Sequence, residues 1–599
     1  MTVIDIDLAG LRAAYAAGAS PDAVVRQVYA AIAAADDPGI FITLVPEAEA
    51  LVAAIALAPQ DRGALPLWGV PFAVKDNIDV AGLPTTAACP GFAYRPAETA
   101  PAVARLLAAG AILIGKTNLD QFATGLVGVR TPHPVPRNAF DPAIVPGGSS
   151  SGSAVAVARG LVSFSLGTDT AGSGRVPAGL NNIVGLKPTL GAVSTRGVVP
   201  ACRSLDCVSV FALTVDDAHA VYRVMAGDDP ADPFSRPVPA PPPGPLPPGL
   251  RIGVPHASDL EFGGDPQAAA AFAAACDALD GLAARVVQVD LAPFRAVARL
   301  LYESAFVAER HAAFGAFVDA MPDLVHPVTR GIVGGAARFT ASDAFRARER
   351  LVELARAAAP TWAGIDILVV PTLPRPVTVA ELHDDPIGPN ALLGTYTNFV
   401  NLLDLCALAV PGPMRTDGFP AGITLVAPRG MDALLASLGS RLHAAAAVPL
   451  GATGRPLPRQ EVADAPVLAL PGEVELCVVG AHLSGMALNR ELTGLGARFL
   501  RAVQTEPLYT LYALPGGPPF RPGLLRTGEG GAAIATEVWA LDPAAFGRFV
   551  SGIPAPLGIG TTLLADGTRP KGFMVEPAGL PGAQDISHFG GWRAYMASR

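Results

Sequence analysis

The chain has 599 residues, of which 51% are hydrophobic and 16% are charged, and its formal net charge at pH 7 is −9. This composition is typical of a globular protein, and the negative charge provides no basic footprint for nucleic acid. No apolar run reaches the ~20 residues that a membrane span needs, and the N-terminus lacks a signal-peptide pattern. We therefore expect a cytoplasmic protein that binds neither nucleic acid nor membrane.

The first third of the chain alternates short apolar strands with alanine-rich helices. A helix is predicted to begin at Ser20-Pro21-Asp22, because Ser is a favoured N-cap and Pro a favoured first helical residue. Strands are predicted at 71–74 and 112–115, with a helix near 101–109 between them. This alternation indicates an α/β fold with a largely buried sheet.

Two Gly/Ser clusters flank an apolar segment. Residues 147–153 read GGSSSGS, and residues 167–177 read GTDTAGSGRVP. One such cluster alone is equally typical of a flexible turn and of a phosphate cradle. Both together favour a serine nucleophile facing backbone N–H groups that stabilise an oxyanion.

An apolar run ending in a lysine, VPFAVKDN at residues 70–77, completes the pattern. With the two clusters it resembles the amidase signature family over roughly the first 450 residues. That resemblance implies a central mixed sheet covered by helices. It also implies a triad of Lys75 as base, Ser149 (held by a cis peptide) as relay and Ser173 as nucleophile. One position departs from the family pattern: Gly174 stands where an aliphatic residue is usual, which puts the rigidity of the local backbone in question.

The chemistry requires an unusual lysine. A serine hydroxyl attacks an amide only when a base removes its proton. Lysine is protonated at neutral pH, because its usual pKa is about 10.4, but burial lowers that pKa. The apolar run before Lys75 is consistent with burial. The natural oxyanion donors are the backbone N–H groups of Thr170, Ala171, Gly172 and Ser173.

Beyond the nucleophile, residues 237–249 are rich in proline, and we interpret them as a surface loop within one domain. Helices are expected to dominate 266–359, followed by strands at 365–371 and 423–426. The stretch LYESAFVAER at 301–310 would place Tyr302, Phe306 and Arg310 on one face of a helix.

Tyr302 and Arg310 narrow the resemblance to the allophanate hydrolases, a group within the same family. In that group a tyrosine and an arginine at this spacing bind the substrate carboxylate, and an Arg fork suits a carboxylate. The resemblance implies hydrolysis of allophanate to ammonia and N-carboxycarbamate, which decarboxylates, in urea degradation. It also implies a homodimer and a functional link to urea carboxylase.

A break in composition near 451–465 divides the chain. We predict an amidase domain at 1–455, a linker at 456–466 and a smaller C-terminal α+β domain at 467–599. Strands are expected in this domain at 474–479, 508–513, 532–539 and 561–564. The domain resembles the γ-glutamyl cyclotransferase fold.

His482 and Glu537 are the candidate functional residues of the C-terminal domain, because histidine titrates near neutral pH. The domain either assists decarboxylation of the first product or serves assembly, with both residues structural.

Neither metal nor cofactor is expected. The six cysteines and nine histidines show no metal-ligand spacing, and the cysteines are interpreted as reduced thiols. Two other functions stay open. One is another amidase-signature enzyme, such as the A-type component of a glutamyl-tRNA amidotransferase, and the other is a non-catalytic assembly protein.

Overall fold

The computed structural model describes residues 3–282, 285–458 and 467–599. These residues form two compact units. The first lies within residues 3–458. The second comprises residues 467–599 together with Gly244–Arg251 and Arg285.

The first unit is built on a mixed sheet of eleven strands, in the order β1-β3-β2-β4-β6-β5-β10-β11-β9-β7-β8. The strands are β1 Phe41–Leu44, β2 Pro71–Lys75, β3 Ile112–Thr117, β4 Phe164–Asp169, β5 Val184–Lys187, β6 Cys207–Ala212, β7 Arg251–Pro255, β8 Arg285–Val289, β9 Ile367–Pro371, β10 Leu405–Pro411 and β11 Gly422–Pro428. Strand β2 pairs in parallel with β3 and β4, whereas β4, β6, β5, β10, β11 and β9 are antiparallel in succession.

Helices accompany this sheet. They are α1 Leu8–Ala16, α2 Pro21–Ala35, α3 Glu47–Leu57, α4 Pro101–Ala108, α5 Ser151–Ala158, α6 Val176–Leu180, α7 Val215–Met225, α8 Pro266–Asp277, α9 Ala292–Glu303, α10 Ala308–Ala320, α11 Pro327–Gly334, α12 Ala341–Gly364, α13 Val379–Asp384, α14 Gly388–Leu393, α15 Phe399–Leu402 and α16 Asp432–Ala446. The α/β architecture with a central mixed sheet covered by helices is thus confirmed.

The sequence explains the elements that frame the site. All five residues of β2 are buried, as expected of an apolar strand inside a parallel arrangement. Helix α5 consists only of Ser, Gly, Ala and Val, and every one of its residues is buried. A side chain at Gly152 would collide with the carbonyl of Ile40, so the small residues of α5 permit its close packing. Because β2 and β4 are parallel neighbours, their carboxyl ends lie at one edge of the sheet.

The second unit is smaller and rich in strands. One sheet has the order β13-β16-β12-β18-β17, and a three-stranded sheet has the order β15-β14-β19. Its elements are β12 Val474–Val478, α17 Asn489–Thr493, β13 Arg498–Gln504, β14 Tyr509–Ala513, β15 Pro522–Arg526, β16 Ala535–Leu541, α18 Pro543–Ser551, β17 Leu557–Thr561, β18 Lys571–Val575, β19 Gln584–Asp585 and α19 Trp592–Ala597. A separate apolar core includes Leu476, Tyr509, Val538 and Trp592.

Three local expectations are wrong. The strand expected at 561–564 instead ends at Thr561, because β17 pairs with β18 only up to that residue. The single helix expected over 301–310 is broken: α9 ends at Glu303, and Ser304 has an extended backbone before α10 begins. Part of the proline-rich stretch groups with the second unit, where the Gly249 N–H donates to Ser484 Oγ at 2.8 Å.

Most of the predicted linker 456–466 falls on residues 459–466, which lie outside the described residues. The domain limits at 455 and 467 therefore stay predictions.

Candidate active site

Lys75 ends strand β2 and is completely buried. Its Nζ donates to Ser149 Oγ at 2.7 Å and to Thr168 Oγ1 at 2.8 Å. In the described part of the chain no carboxylate oxygen lies within 4 Å of this amine. Its polar contacts are thus hydroxyl groups, which do not hold a charge on the amine as a carboxylate would.

The pKa of Lys75 follows from this environment. Burial lowers the pKa of the amine to about 7, although the more distant Asp120, Asp206 and Asp169 oppose the shift. A substantial fraction of Lys75 is therefore neutral at physiological pH and can accept a proton from a hydroxyl group.

Ser149 lies just before α5 in a constrained segment. The peptide bond between Gly148 and Ser149 is cis, and Gly147 has a φ of +78°. A side chain at Gly148 would collide with the Asp120 carboxylate, so glycine is required there. The Ser149 carbonyl accepts the Asp120 N–H at 3.0 Å, which ties the segment to the chain after β3.

Ser173 lies in the loop between β4 and α6 and is 3% exposed. Its hydroxyl donates to the Gly125 carbonyl at 3.4 Å. Among the residues that the structure describes, no hydrogen bond joins Ser173 to Ser149. The loop thus brings Ser173 to the edge of the sheet where β2 ends, with its hydroxyl oriented toward Gly125.

Asp169 and Arg175 form a buried clamp at the two ends of this loop. Arg175 Nε and Nη2 each donate to the Asp169 carboxylate at 2.9 Å. The same carboxylate accepts the N–H groups of Gly172 and Gly174, each at 3.0 Å. Burial opposes the charge of Asp169, but Arg175 holds the pKa of the carboxyl below its usual value.

The environment of Gly174 explains why this position lacks the aliphatic side chain that is usual in the family. A Cβ at position 174 would lie 2.6 Å from Ser209 Cβ, so the aliphatic residue usual in the family does not fit this backbone. The Gly174 N–H is instead tied to the Asp169 carboxylate by a hydrogen bond of 3.0 Å.

The clamp also affects the oxyanion donors. The Gly172 N–H donates to Asp169 and is not free in this structure. Within the described residues no hydrogen bond uses the N–H of Ala171 or Ser173. Thr170 is fixed through its hydroxyl, which donates to Asp206, a buried carboxyl whose pKa burial raises to about 6.

Tyr302 and Arg310 meet although their helix is broken. Arg310 Nη2 donates to the Tyr302 hydroxyl at 3.2 Å, and the guanidinium carbon lies 4.7 Å from the centre of the Tyr302 ring. Arg310 is 1% exposed, and its Nε and Nη1 have no hydrogen-bond partner among the described residues. A buried guanidinium with unused donors is suited to receive an anion.

A cavity of about 740 Å³ lies in the first unit. Its lining includes Tyr302, Arg130, Asn390 and Asn398, but none of the three triad candidates. Arg130 and Asn390 nevertheless hold the segment that contacts Ser173. Arg130 Nη1 donates to the Thr124 carbonyl at 3.0 Å, and Asn390 Oδ1 accepts the Leu126 N–H at 2.9 Å.

The sequence patterns did not single out several residues of this site. The Thr168 hydroxyl accepts a hydrogen bond from Lys75, as the Ser149 hydroxyl does, and the Asp120 N–H donates to the Ser149 carbonyl. The Asp169–Arg175 pair was visible within the second Gly/Ser cluster. Opposite charges six residues apart around two glycines could have indicated a loop clamp.

The candidates of the second unit occupy separate environments. His482 Nε2 lies 2.9 Å from Glu491 Oε2, and its ring stacks on Phe573. Burial lowers the pKa of His482, although Glu491 opposes the shift. Within the described residues no hydrogen bond joins His482 to Glu537.

Glu537 is buried, and four donors satisfy its carboxylate. Ser484 Oγ and Arg593 Nη2 donate to Oε1 at 2.7 and 2.6 Å. The Ser484 N–H and Trp539 Nε1 donate to Oε2 at 2.7 and 3.2 Å. Glu537 therefore has the environment of a structural carboxylate.

The described residues contain no group of three or more His, Cys, Asp or Glu side chains that could hold a metal ion. They also contain no helix with the length and apolar character that crossing a bilayer requires.

Comparison with known proteins gives two matches to family models. The model described as Amidase matches residues 23–436, and the model described as Allophanate hydrolase C-terminal domain matches residues 474–597.

Individual relatives agree with these matches. The urea amidolyase of Saccharomyces cerevisiae is 43% identical over 551 residues, which cover 90% of this chain and 30% of that protein. The A-type component of the glutamyl-tRNA(Gln) amidotransferase of Chloroflexus aurantiacus is 36% identical over 462 residues, covering 72% of this chain and 94% of the other. The selenomethionine-substituted allophanate hydrolase of Kluyveromyces lactis matches with a TM-score of 0.79 at 40% identity, covering 100% of both chains. The chain spans about a third of the length of the urea amidolyases that it matches.

Proposed function

The chain belongs to the amidase family, and from this premise we propose that it hydrolyses allophanate to ammonia and N-carboxycarbamate, which then loses carbon dioxide. The observation that carries the proposal is the buried Lys75 amine bonded to Ser149 Oγ at 2.7 Å, with no carboxylate partner within 4 Å among the described residues. The match to an allophanate hydrolase C-terminal domain and the likeness to the K. lactis enzyme support this choice of substrate.

In the proposed mechanism Ser173 is the nucleophile. Neutral Lys75 takes the proton of Ser149, and Ser149 takes that of Ser173 as Ser173 Oγ attacks the terminal amide carbonyl. This transfer requires the Ser173 hydroxyl to turn from Gly125 toward Ser149 when substrate binds. The carbon–nitrogen bond then breaks, and the returned proton leaves with ammonia.

Water completes the cycle. It attacks the carbonyl of the Ser173 ester and gives its proton to the same relay, and the Ser173 oxygen departs as the hydroxyl group. The product carries two carboxylates on one nitrogen, which is N-carboxycarbamate. The N–H groups of Thr170, Ala171 and Ser173 stabilise the oxyanion in both halves. Gly172 would contribute only after its N–H leaves Asp169.

Tyr302 and Arg310 bind the substrate carboxylate in this proposal. Arg310 stays protonated at all relevant pH values, and its Nε and Nη1 have no partner among the described residues that an anion would need to displace. The Tyr302 hydroxyl accepts a hydrogen bond from Arg310, so its own proton can be donated to a carboxylate oxygen.

The alternative is another amidase-family hydrolase, for example the A-type component of an amidotransferase. The similarity to the Chloroflexus protein covers 72% of this chain, whereas the match to the K. lactis enzyme covers all of it. The full-length match favours allophanate.

The test is ammonia release from allophanate, biuret, malonamide and glutamine, measured in parallel with the purified chain. We expect kcat/KM for allophanate to exceed the values for the other three substrates. Preference for glutamine would support the amidotransferase-type function instead, and no release from any substrate would contradict amide hydrolysis.

For the second unit we propose that His482 assists decarboxylation of N-carboxycarbamate. The notable feature of His482 is its contact with Glu491 Oε2 at 2.9 Å, which would orient the ring to donate a proton, and an assembly role is the alternative. In His482→Ala we expect unchanged ammonia release but slower carbon dioxide release. If His482→Ala released both ammonia and carbon dioxide at the wild-type rates, the assembly role would be favoured instead.

We propose a cytoplasmic homodimer that is linked functionally to urea carboxylase. The support for this link is that relatives named urea amidolyase are about three times as long as this chain. Light scattering of the purified chain tests the dimer. Urea-dependent ammonia release, with and without added urea carboxylase, tests the link.

A further inference from the structure

The cavity beside Tyr302 carries an unusual charge for this protein. Four arginines line it: Arg130, Arg295, Arg299 and Arg338. Among the described residues, two acidic side chains do so, Glu261 and Glu303. The chain as a whole has a net charge of −9. The lining is therefore positive where the rest of the chain is on balance negative.

Two of these arginines, Arg299 and Arg338, are exposed at the mouth of the cavity. No carboxylate oxygen of a described residue lies within 4 Å of either guanidinium. Arg338 lies over the Phe339 ring, with its guanidinium carbon 4.8 Å from the ring centre. Arg295, also in the lining, pairs with Glu261 at 3.4 Å, so that these two charges largely offset each other.

The positive charge continues to the inner wall. Arg130 is 2% exposed, and its guanidinium donates to the Thr124 and Pro386 carbonyls, each at 3.0 Å. These backbone acceptors fix its position, and the nearby Asp120 carboxylate stabilises its charge. The residue after Thr124 is Gly125, whose carbonyl accepts the Ser173 hydroxyl. The arginines thus extend from the exposed mouth to the segment that contacts the nucleophile.

We propose that Arg299 and Arg338 form an entrance that attracts anionic substrates and guides their carboxylate toward Tyr302 and Arg310. This inference rests on the proposed function, because it requires an anionic substrate. A negative protein repels an anion at long range, and a cleft lined by positive charge reverses that effect locally and raises the local anion concentration. The entrance selects for charge before binding, whereas Arg310 acts on the bound carboxylate.

The test is the charge-reversal pair Arg299→Glu/Arg338→Glu, assayed on allophanate and on the neutral amide malonamide. We expect kcat/KM for allophanate to fall about 10-fold through KM, with kcat unchanged, because steering of this kind changes association by 10-fold or more. Malonamide should be used as well as before. The fall should shrink as ionic strength rises, since salt screens exposed charges.

Two further variants act as controls. Arg299→Gln/Arg338→Gln should give an intermediate loss, because it removes charge without reversing it. Arg356→Glu changes an exposed arginine of α12 that is not part of the cavity lining, and it should leave both substrates unaffected. An unchanged KM for allophanate in the double reversal, or an equal loss on malonamide, would overturn the entrance.

The wild-type assay separates the two proposals. A wild-type chain that releases ammonia from malonamide but not from allophanate would contradict the proposed substrate. A wild-type chain that prefers allophanate, together with a double reversal that retains full activity, would contradict the entrance alone.

Discussion

Two polar clusters of this molecule differ in how completely their hydrogen bonds are satisfied. In the second unit, the Glu537 carboxylate accepts from Ser484, Arg593 and Trp539, and the carboxylate and guanidinium offset each other. In the first unit, the buried Lys75 amine donates to hydroxyl groups. Buried Arg310 keeps two donors without partners in the described part of the chain.

The difference predicts which groups stabilise the fold and which take part in the reaction. A buried carboxylate with all its donors in place stabilises a fold, because removal of those donors leaves a polar group without compensation. A buried amine with no carboxylate in contact instead has a lowered pKa, and a donor without a partner can receive a ligand. Changes to Lys75 and Arg310 should therefore affect turnover, and changes to Glu537 and its partners should affect stability.

The largest effect is expected for Ser173→Ala. Removal of a nucleophile of this kind lowers kcat by roughly 10⁴-fold or more, while the fold remains because Ser173 makes one long hydrogen bond. Ammonia release and circular dichroism measure the two properties. Ser163→Ala is the matched control, since the buried Ser163 hydroxyl has no hydrogen-bond partner among the described residues and should be dispensable. Near-normal turnover by Ser173→Ala would remove it from the mechanism.

Next is Lys75→Met, which should cost about 10³-fold in kcat/KM, as loss of a general base does. In the wild type, kcat/KM should rise with pH through about 7 and level off above it, because the neutral amine is the active form and its pKa is about 7. A flat profile between pH 6 and 8 would contradict Lys75 as the base.

Lys116 provides the contrast to Lys75. It is equally buried on the neighbouring strand β3, but it pairs with Asp76 at 3.2 Å. Lys116→Met leaves the Asp76 carboxylate buried without its ion-pair partner, which typically costs about 3–5 kcal/mol of folding free energy. Lys75→Met should unfold at nearly the wild-type denaturant concentration. Equal stability losses in both variants would contradict this difference between the two lysines.

Arg310→Leu should lower kcat/KM for allophanate about 100-fold, since truncating one partner of a buried charged hydrogen bond typically costs about 2–5 kcal/mol. The neutral amide malonamide should lose far less. Tyr302→Phe removes one hydroxyl and should show a smaller loss of the same kind. Equal losses on both substrates in Arg310→Leu would indicate a general structural role.

The smallest effect on turnover is expected for Glu537→Gln. In the variant, the amide NH2 group would face hydrogen-bond donors that meet a carboxylate oxygen in the wild type. The unfolding free energy should therefore fall by about 1–3 kcal/mol. Ammonia release per folded enzyme should stay unchanged. A stable variant with impaired hydrolysis would instead assign Glu537 a role in the reaction.

The patterns that predict Lys75, Ser149 and Ser173 as catalytic residues are local ones. Lys75 ends an apolar strand, and Ser149 and Ser173 lie in turns that need glycine, so that each pattern is contained in a short stretch of sequence. The helix break at Ser304 was also local: its hydroxyl accepts the Phe306 N–H and starts a new turn, a property of serine that helical periodicity ignores.

Long-range contacts account for what could not be predicted. The end of β17 depends on its register with β18, and Gly244–Arg251 joins the second unit through partners more than 200 residues away. The acceptance of the Gly172 N–H by Asp169 depends on side-chain directions that no sequence period encodes.

The clamp around the Ser173 loop has a consequence for how this loop can evolve. One carboxylate, Asp169, serves Gly172, Gly174 and Arg175 at once, and a side chain at Gly174 would meet Ser209. The effects of substitutions at these positions are therefore not additive, and each one changes which replacements are tolerated at the others. A variant library that samples them singly would return mostly inactive proteins, whereas compatible loops would appear only when the positions change together.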